Sequence, residues 1–235
     1  MKLLVLAGGF GTRLQSVLPT VPKALAPVGT LPFLYLQIEH WKSQGIYDFV
    51  FLLHHESGMI ISFLEGQQSG LLHDCEVRWL VEPTPLGTGG AVAYATEQLN
   101  LVDNFLLTNA DTWLGSGMAA LRHANVPAIA VVELRDATRY GCVQFDKKHS
   151  VTAFTEKNNR EGSGWINAGP CRLNAETFKD WDHMPFSLER LTFPAMVTRG
   201  DLKAVTLQTD FIDIGIPDDY YRFCRWIAAN REGAL

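Results

Sequence analysis

The chain has 235 residues, of which 47% are hydrophobic and 19% are charged, and its formal net charge is −5. This is the profile of an ordinary globular protein, so long disordered stretches are excluded. No run of lysine or arginine offers the basic surface that a protein following a nucleic-acid backbone needs, which excludes nucleic acid as an expected partner. No segment approaches the roughly 18 apolar residues of a membrane span, so no membrane partner is expected.

The cysteines indicate the compartment. They lie far apart, at Cys75, Cys142, Cys171 and Cys224, and include no CxxC pair, so a structural zinc site or a redox motif has no support. A chain with this much core material does not need disulfides. The apolar run that begins at Leu3 is too short for the core of a signal peptide. We therefore expect reduced thiols and a cytoplasmic protein.

In the first half of the chain, short apolar runs alternate with helical patterns. Residues 2–6 and 48–53 are apolar at consecutive positions, which is typical of strands buried on both faces of a parallel sheet. The other predicted elements are a helix from Pro32 to Gly45, a helix that carries Met59 to Leu64, a strand over 77–81, a helix around 91–99, a strand over 105–108, a short helix capped by Ser116 and a strand over 128–134. Such alternation predicts a doubly wound sheet that binds its ligand at the carboxyl ends of the strands.

The second half predicts antiparallel strands. Residues 140–146 and 151–157 form a predicted hairpin that turns at residues 147–149. The elements that follow are a strand over 165–173, helical segments over 174–181 and within 187–198, strands over 202–207 and 211–214, and a closing helix that begins at Pro217. With no internal repeat and no linker, we expect a single α/β domain over residues 1–235, with a mixed central sheet flanked by helices.

The strongest chemical signal is the run LAGGFGTRL, residues 6–14, directly after the first strand. Gly8, Gly9 and Gly11 allow the backbone to approach a ligand closely and to present N–H groups to it. Glycines alone are also typical of a simple surface turn. The run is not a dinucleotide fingerprint, because Leu14 stands where the third glycine belongs, and it is not a P-loop, because no GKS or GKT closes it.

Two cations accompany the glycine run. Arg13 supplies a planar charged fork suited to phosphate oxygens, and Lys23 supplies a mobile point charge. GGFGTR followed by PK about ten residues later resembles the signature of the nucleotidylyltransferases that activate sugar 1-phosphates, and further matches follow in the family's order along nearly the whole chain. The resemblance implies nucleotide contacts from Leu6, Ala7, Gly8, Gly9, Gly11, Thr12, Arg13 and Lys23.

A second cluster is EPTPLGTGGA, residues 82–91, a proline loop that opens onto a glycine-rich helix start. The resemblance implies that this loop contacts base and ribose through Glu82, Pro85, Leu86, Gly87 and Thr88. The carboxylate of Glu82 can accept two hydrogen bonds side by side, and guanine presents N1–H and N2–H as a matched pair of donors. Uracil and thymine present one N–H between two carbonyls, which repel a carboxylate. The alternative interpretation of Glu82 is a solvated loop acid.

A third cluster is TNAD, residues 108–111, at the end of an apolar strand, where α/β sheets place metal ligands. The resemblance implies that Asn109 contacts the nucleotide. It also implies that Asp111 binds one Mg²⁺ together with Asp213 of the later FIDIG run. The family usually has Gly–Asp where this chain has Ala110 and Asp111. Lone aspartates at strand ends are otherwise more often caps than ligands.

A fourth group consists of FTEK, INAG and an earlier Tyr–Gly pair. On a strand, Glu156 and Lys157 point to opposite faces, so both reach one ligand only at a local bulge. In similar enzymes the Glu takes the sugar hydroxyls and the Lys takes the phosphate, and the resemblance implies that Gly141 and Asn167 complete the sugar pocket. Without the resemblance, Glu156 and Lys157 indicate an exposed edge with ion pairs.

The resemblance implies a Rossmann-like nucleotidyltransferase fold, with nucleotide bound by about residues 1–135 and sugar phosphate by about residues 136–235. The implied reaction joins a nucleoside triphosphate to a sugar 1-phosphate and releases pyrophosphate. We expect the nucleotide to be GTP, because guanine presents the pair of donors that Glu82 can accept. The implied catalytic groups are Arg13, Lys23, Asp111 and Asp213, with Mg²⁺ as cofactor. The short chain and the PLGTGGA loop most resemble the bacterial D-glycero-α-D-manno-heptose 1-phosphate guanylyltransferases, whose product GDP-heptose feeds capsule or lipopolysaccharide synthesis.

Several alternatives stay open on the sequence. Mannose-1-phosphate guanylyltransferases and short N-acetylmuramate-1-phosphate uridylyltransferases share much of the pattern. A catalytically silent nucleotide-binding regulatory module is a different class, and the joint retention of the catalytic groups and Lys157 speaks against it. A dinucleotide-dependent oxidoreductase is opposed by Leu14. The exact sugar and the oligomeric state are left open, a homo-oligomer included.

Overall fold

A nine-stranded mixed sheet forms the centre of the protein in a computed structural model, which describes residues 1–155 and 162–231. The strands are β1 (Leu3–Leu6), β2 (Pro27–Val28), β3 (Leu31–Pro32), β4 (Asp48–Leu53), β5 (Glu76–Val81), β6 (Asn104–Asn109), β7 (Thr112–Leu114), β8 (Ala128–Leu134), β9 (Cys142–Phe145), β10 (Val151–Thr155), β11 (Gly164–Asn174), β12 (Lys203–Leu207) and β13 (Phe211–Asp213). The main sheet has the order β10-β9-β11-β6-β1-β4-β5, and β8 lies between β11 and β12. β5, β4, β1 and β6 are parallel, whereas β11 is antiparallel to β6 and β8.

Helices cover both faces of this sheet. They are α1 (Phe33–Ser43), α2 (Ser57–Gly66), α3 (Gly87–Gln98), α4 (Met118–His123), α5 (Phe193–Arg199) and α6 (Pro217–Arg231), with 3₁₀ turns at Lys23–Leu25 and Ala175–Phe178 and a π-helical turn at Leu188–Thr192. Within the two described ranges, no helix has the length and apolar character to cross a bilayer.

The consecutive apolar residues of the parallel strands serve two cores. In β1, Leu3 and Val5 pack with α1, α2 and α4 on one face, and Leu4 packs with α3 and α5 on the other. β4 divides its residues in the same way, and its five residues from Phe49 to Leu53 are all buried. Since successive side chains of a strand point to opposite faces, only a sheet covered on both sides requires such a run. The predicted α/β class is confirmed.

A second, two-stranded sheet carries one of the predicted metal ligands. β7 and β13 pair antiparallel with Asp213 opposite Thr112, and the backbone N–H of Ile214 donates to the carbonyl of Asp111 at 3.0 Å. The sequence did not predict β7, because three residues show no usable periodicity. This pairing brings the DIG segment of the second half beside the end of β6.

Three helix predictions require correction. Ser116 does not cap α4, because Gly117 is the cap residue and the N–H of Met118 is satisfied by the side chain of Gln44 at 3.1 Å. The helix predicted around 91–99 begins earlier, at Gly87. The φ of Gly87 is +73°, a value that glycine adopts without the steric cost other residues incur. The helix predicted over 174–181 is only the short 3₁₀ turn Ala175–Phe178.

Candidate active site

The carboxyl ends of β1, β4, β5 and β6 meet at a cavity of about 510 Å³, a volume suited to a small-molecule ligand. The predicted residues that line it are Leu6, Ala7, Gly8, Gly9, Arg13, Lys23, Glu82, Pro85, Gly87, Thr88, Asn109, Asp111 and Asp213. Parallel strands end at one edge of a sheet, so residues that are distant in sequence converge there. The structure therefore gathers both predicted phosphate cations, the base loop and both predicted metal ligands in one place.

Three predicted nucleotide contacts do not line this cavity: Gly11, Thr12 and Leu86. Gly11 has a φ of +61°, and its carbonyl accepts the N–H of Leu14 at 2.9 Å, so it shapes the turn that presents Arg13. Thr12 is exposed, and the side chain of Leu86 is buried. These residues set the form of the wall without facing the cavity.

The charged groups meet at one end of the cavity. Lys23 forms an ion pair with Asp111. Asp213 accepts a hydrogen bond from the N–H of Gly215 at 2.7 Å. Arg13 lies against the same glycine, since a Cβ on Gly215 would stand 3.3 Å from Nη2 of the guanidinium. The close pairing of β7 with β13 thus places both carboxylates beside both cations.

Burial and the negative charge of Asp111 raise the pKa of Asp213, and Lys23, the N–H of Gly215 and Arg13 oppose the shift without cancelling it. A divalent cation at the two carboxylates would relieve this repulsion. Within the described residues, no three His, Cys, Asp or Glu side chains group as a metal site. Two carboxylates alone suit Mg²⁺, which usually takes its other ligands from substrate phosphates and water.

Glu82 belongs to the buried wall of the cavity. The residue is only 8% exposed, so the alternative of a solvated loop acid is wrong. Oε2 accepts the N–H of Leu86 at 2.8 Å, and Oε1 faces Gly8, where a Cβ would stand 3.0 Å away. Burial raises the pKa of the Glu82 carboxyl, against the effects of the Leu86 N–H and of His54. A side chain on residue 8 would obstruct this carboxylate.

Several residues that line the cavity were not predicted as site residues: Phe10, Pro22, Ala24, His54, Ala91, Ala110, Thr112 and Glu189. His54 follows β4, and the strand-end rule that locates Asp111 could have found it. Its Nδ1 lies 3.3 Å from the carbonyl oxygen of Glu82, and the ring of Phe10 packs edge-on against it. Glu189 comes from the second half through long-range packing, for which the sequence carries no signal.

Two of the four predicted sugar-phosphate residues lie in the described part of the chain. Gly141 and Asn167 do not line the cavity, but they adjoin each other through the Asn167 N–H and the Gly141 carbonyl at 2.9 Å. The side chain of Asn167 accepts the N–H of Gly169 at 3.1 Å, and Gly169 faces Asn109 of the cavity wall. The other two predicted sugar-phosphate residues, Glu156 and Lys157, lie outside the described residues.

Comparison with known proteins shows which family the chain belongs to. The model of the family described as nucleotidyl transferase matches residues 2–229. The chain belongs to the nucleotidyl transferase family. D-glycero-alpha-D-manno-heptose 1-phosphate guanylyltransferase of Campylobacter jejuni is 33% identical to this nucleotidyltransferase over 230 residues, which are 95% of this chain and 98% of that enzyme. Mannose-1-phosphate guanyltransferase of Emericella nidulans is 31% identical over 228 residues, and there the chain spans only 62% of the relative.

The fold agrees with a solved relative. HddC of Yersinia pseudotuberculosis superimposes with a TM-score of 0.83 at 32% identity over 96% of this chain and 99% of that one. HddC has also been solved in complex with GMP-PN, with the same score and coverage. The predicted family and the predicted enzyme class are confirmed, and the oxidoreductase alternative is wrong.

Proposed function

We propose that this nucleotidyltransferase transfers a guanylyl group from GTP to a sugar 1-phosphate and releases pyrophosphate. The observation that carries the choice of GTP is the buried carboxylate of Glu82 in the wall beside Gly8. A desolvated carboxylate gains most from a pair of N–H donors, and guanine is the base that offers them. The names of the relatives from Campylobacter and Emericella, and the GMP-PN complex of HddC, support the same choice.

The proposed sugar is D-glycero-α-D-manno-heptose 1-phosphate, giving GDP-heptose for a surface polysaccharide such as capsule or lipopolysaccharide. The support is the Campylobacter enzyme, which this chain matches over 98% of its length. Mannose 1-phosphate is the second candidate, favoured by the similar identity to the Emericella enzyme. Gly141, Glu156, Lys157 and Asn167 are the proposed sugar-phosphate residues. All four cysteines are free, which fits the proposed cytoplasmic location.

The proposed chemistry is a single in-line displacement. An oxygen of the sugar 1-phosphate attacks the α-phosphorus of GTP, and that new O–P bond forms as the bond from the α-phosphorus to the bridging oxygen of pyrophosphate breaks. Pyrophosphate leaves with the electron pair. The attacking phosphate is already an anion, so the site needs no strong base and no covalent intermediate. The obstacle is to bring two polyanions together in alignment.

The residues of the cavity fit that task. The guanidinium of Arg13 would bind phosphate oxygens as a fork, and the ion pair with Asp111 holds the Lys23 ammonium at the same end of the cavity. Asp111 and Asp213 would hold Mg²⁺, which when bound neutralises phosphate charge. The backbone of Gly8 and Gly9 lies open to the cavity and would contact the triphosphate.

A matrix assay tests the proposal. GTP, UTP, dTTP and ATP are each combined with the 1-phosphates of D-glycero-α-D-manno-heptose, mannose, glucose and N-acetylmuramate, and pyrophosphate release is measured with Mg²⁺. We expect GTP with the heptose 1-phosphate to give the highest kcat/KM. A preference for UTP with N-acetylmuramate 1-phosphate would contradict the proposal. Release with no pair would indicate the silent regulatory module instead.

A further inference from the structure

The second half of the chain is fastened to the base loop through residues 186–189, here called the clasp segment. The N–H of Phe186 donates to the carbonyl of Leu86 at 2.9 Å, and the carbonyl of Phe186 accepts the N–H groups of Gly89 and Gly90 at 2.9 and 3.3 Å. The clasp segment therefore satisfies N–H groups in the first turn of α3 that would otherwise be free. The N–H groups of Gly89 and Gly90 are therefore not available to a phosphate.

Glu189 fixes the orientation of two hydroxyls. Its Oε2 accepts from Thr88 Oγ1 and from Ser187 Oγ, both at 2.7 Å. The hydroxyl of Thr88 itself accepts the N–H of Leu188 at 3.0 Å, and that of Ser187 accepts the N–H of Arg190 at 3.2 Å. Because an ionised carboxylate only accepts, both hydroxyl protons point to Glu189. Thr88 lines the cavity, but its hydroxyl proton is donated to Glu189 of the clasp segment and not to a ligand.

The contact is also closely packed. A Cβ on Gly89 would stand 2.1 Å from the ring of Phe186, and a Cβ on Gly87 would stand 2.6 Å from its carbonyl oxygen. The glycines of the GTGG run therefore let the clasp segment approach the helix start, in addition to any role at the ligand. This is a close approach for which only glycine leaves room.

The base loop, residues 82–91, is also held by Glu82, the residue proposed to recognise guanine. The N–H of Leu86 donates to Glu82, while the carbonyl of Leu86 accepts from Phe186. Leu86 thus joins Glu82 directly to the clasp segment. Pro85 of the cavity wall lies between Glu82 and Leu86 in the sequence. A displacement of the clasp segment would shift the carboxylate of Glu82 relative to the base.

We propose that Glu189 is a positioning residue for base selection: it holds Thr88 and the clasp segment so that Glu82 is presented to guanine in one geometry. The inference rests on the proposed function, since it takes Glu82 to read the base. Glu189 acts through Thr88 and Ser187, and the groups of the chemical step, Arg13 and Asp111, lie outside these contacts. Its loss should therefore impair nucleotide binding and leave the chemical step intact.

The test compares Glu189→Ala, Glu189→Gln and Ser187→Ala by steady-state kinetics and by calorimetric titration of GTP and UTP without sugar phosphate. The matched control is Asn174→Ala. The side chain of Asn174 caps a 3₁₀ turn by accepting the N–H of Glu176, and the substitution removes this cap. Asn174 pairs with Asn104 at the start of β6, the end of that strand opposite the cavity. Thermal unfolding of all four variants separates loss of fold from loss of positioning.

We expect Glu189→Ala to raise the KM and Kd for GTP about tenfold and to narrow the GTP-to-UTP preference, as for loss of charge-assisted hydrogen bonds. kcat and the KM for the sugar phosphate should change by less than about twofold. Ser187→Ala should act in the same direction with a smaller effect. Glu189→Gln should recover most of the loss, because its amide oxygen can accept both hydroxyl protons. Asn174→Ala should lower stability and leave the Kd for GTP unchanged.

An unchanged Kd for GTP in Glu189→Ala would overturn the inference. A fall in kcat or a rise in the KM for the sugar phosphate would also overturn it. So would a Glu189→Gln variant that binds GTP as weakly as Glu189→Ala, because that result would indicate that the charge of Glu189 contacts the substrate directly. Should Glu189→Ala fail to fold, Ser187→Ala decides by the same criteria. A wild-type enzyme that prefers UTP refutes the proposed function separately, because that result depends on no variant of the clasp segment.

Discussion

The two halves of the chain reach the cavity by different routes. In the first half, residues such as Gly8, Glu82 and Asp111 reach the cavity because the parallel strands that precede them end at one edge of the sheet. In the second half, Asp213 arrives through the small β7–β13 sheet and Glu189 through the clasp segment. Strand order thus determines the first set, whereas the second depends on pairwise tertiary contacts. In the proposed function, the metal site would combine Asp111 of the first set with Asp213 of the second, and base selection would combine Glu82 with Glu189.

The largest expected effect comes from the carboxylate pair that joins the halves. Asp111→Asn and Asp213→Asn should each lower turnover by more than about a hundredfold, because each removes charge from the proposed Mg²⁺ site. The measurement is Mg²⁺-dependent pyrophosphate release, with circular dichroism to establish that each variant is folded. Near-normal Mg²⁺-dependent rates in both variants would contradict the metal assignment.

The next largest expected effect comes from Arg13, the proposed phosphate ligand that the first half supplies. Arg13→Ala should reduce kcat/KM by about a hundredfold, and Arg13→Lys should recover only part of that loss, because a point charge cannot reproduce a bidentate fork. Steady-state kinetics with GTP as the varied substrate gives both values. Full activity in Arg13→Lys would show that Arg13 acts only through its charge.

The packing of the clasp segment against α3 is tested by stability. Gly89→Ala places a methyl group into the ring of Phe186, so the free energy of unfolding should fall by about 1–3 kcal/mol. The matched control is Gly58→Ala in α2, where a Cβ has no neighbour within 4 Å. That control should leave stability unchanged or slightly raised. Urea unfolding curves that coincide for the two variants would refute the close contact.

The smallest expected effect is a pH dependence of base choice. Because burial raises the pKa of Glu82, its carboxyl takes up a proton at a higher pH than an ordinary glutamate. A protonated carboxyl accepts less well from the two donors of guanine, so the GTP-to-UTP ratio of kcat/KM should fall as the pH is lowered. Glu82→Gln should lack this component. If the ratio depends on pH equally in the wild type and in Glu82→Gln, the pH dependence arises from a group other than Glu82.

The sequence predicted what depends on local pattern. The apolar runs of β1 and β4 require burial on both faces, so the doubly covered sheet and the position of its carboxyl edge followed from single segments. The glycine run, Lys23 and Asp111 could then be placed at that edge before any contact was known. In the structure Gly8, Gly9, Lys23 and Asp111 line one cavity, whereas Gly11 does not.

The remainder depends on contacts between distant segments. β7 is too short to show a period, although its pairing with β13 brings Asp213 to the site. The glycines of the GTGG run concealed the first turn of α3, because glycine disfavours a helix unless packing requires it. Glu189 could not be found from sequence spacing, since its role depends on the approach of Phe186 to Gly89.

The most direct test of guanylyl transfer is the ratio of kcat/KM for GTP to that for UTP, measured in the wild type and in Glu82→Gln with the same sugar 1-phosphate. We predict a preference for GTP of roughly a hundredfold in the wild type, the value of a desolvated pair of charge-assisted hydrogen bonds. The variant should use GTP less well and narrow the gap, because an amide can both donate and accept. A wild-type preference for UTP, or a ratio that the substitution leaves unchanged, would contradict the reading of guanine by Glu82.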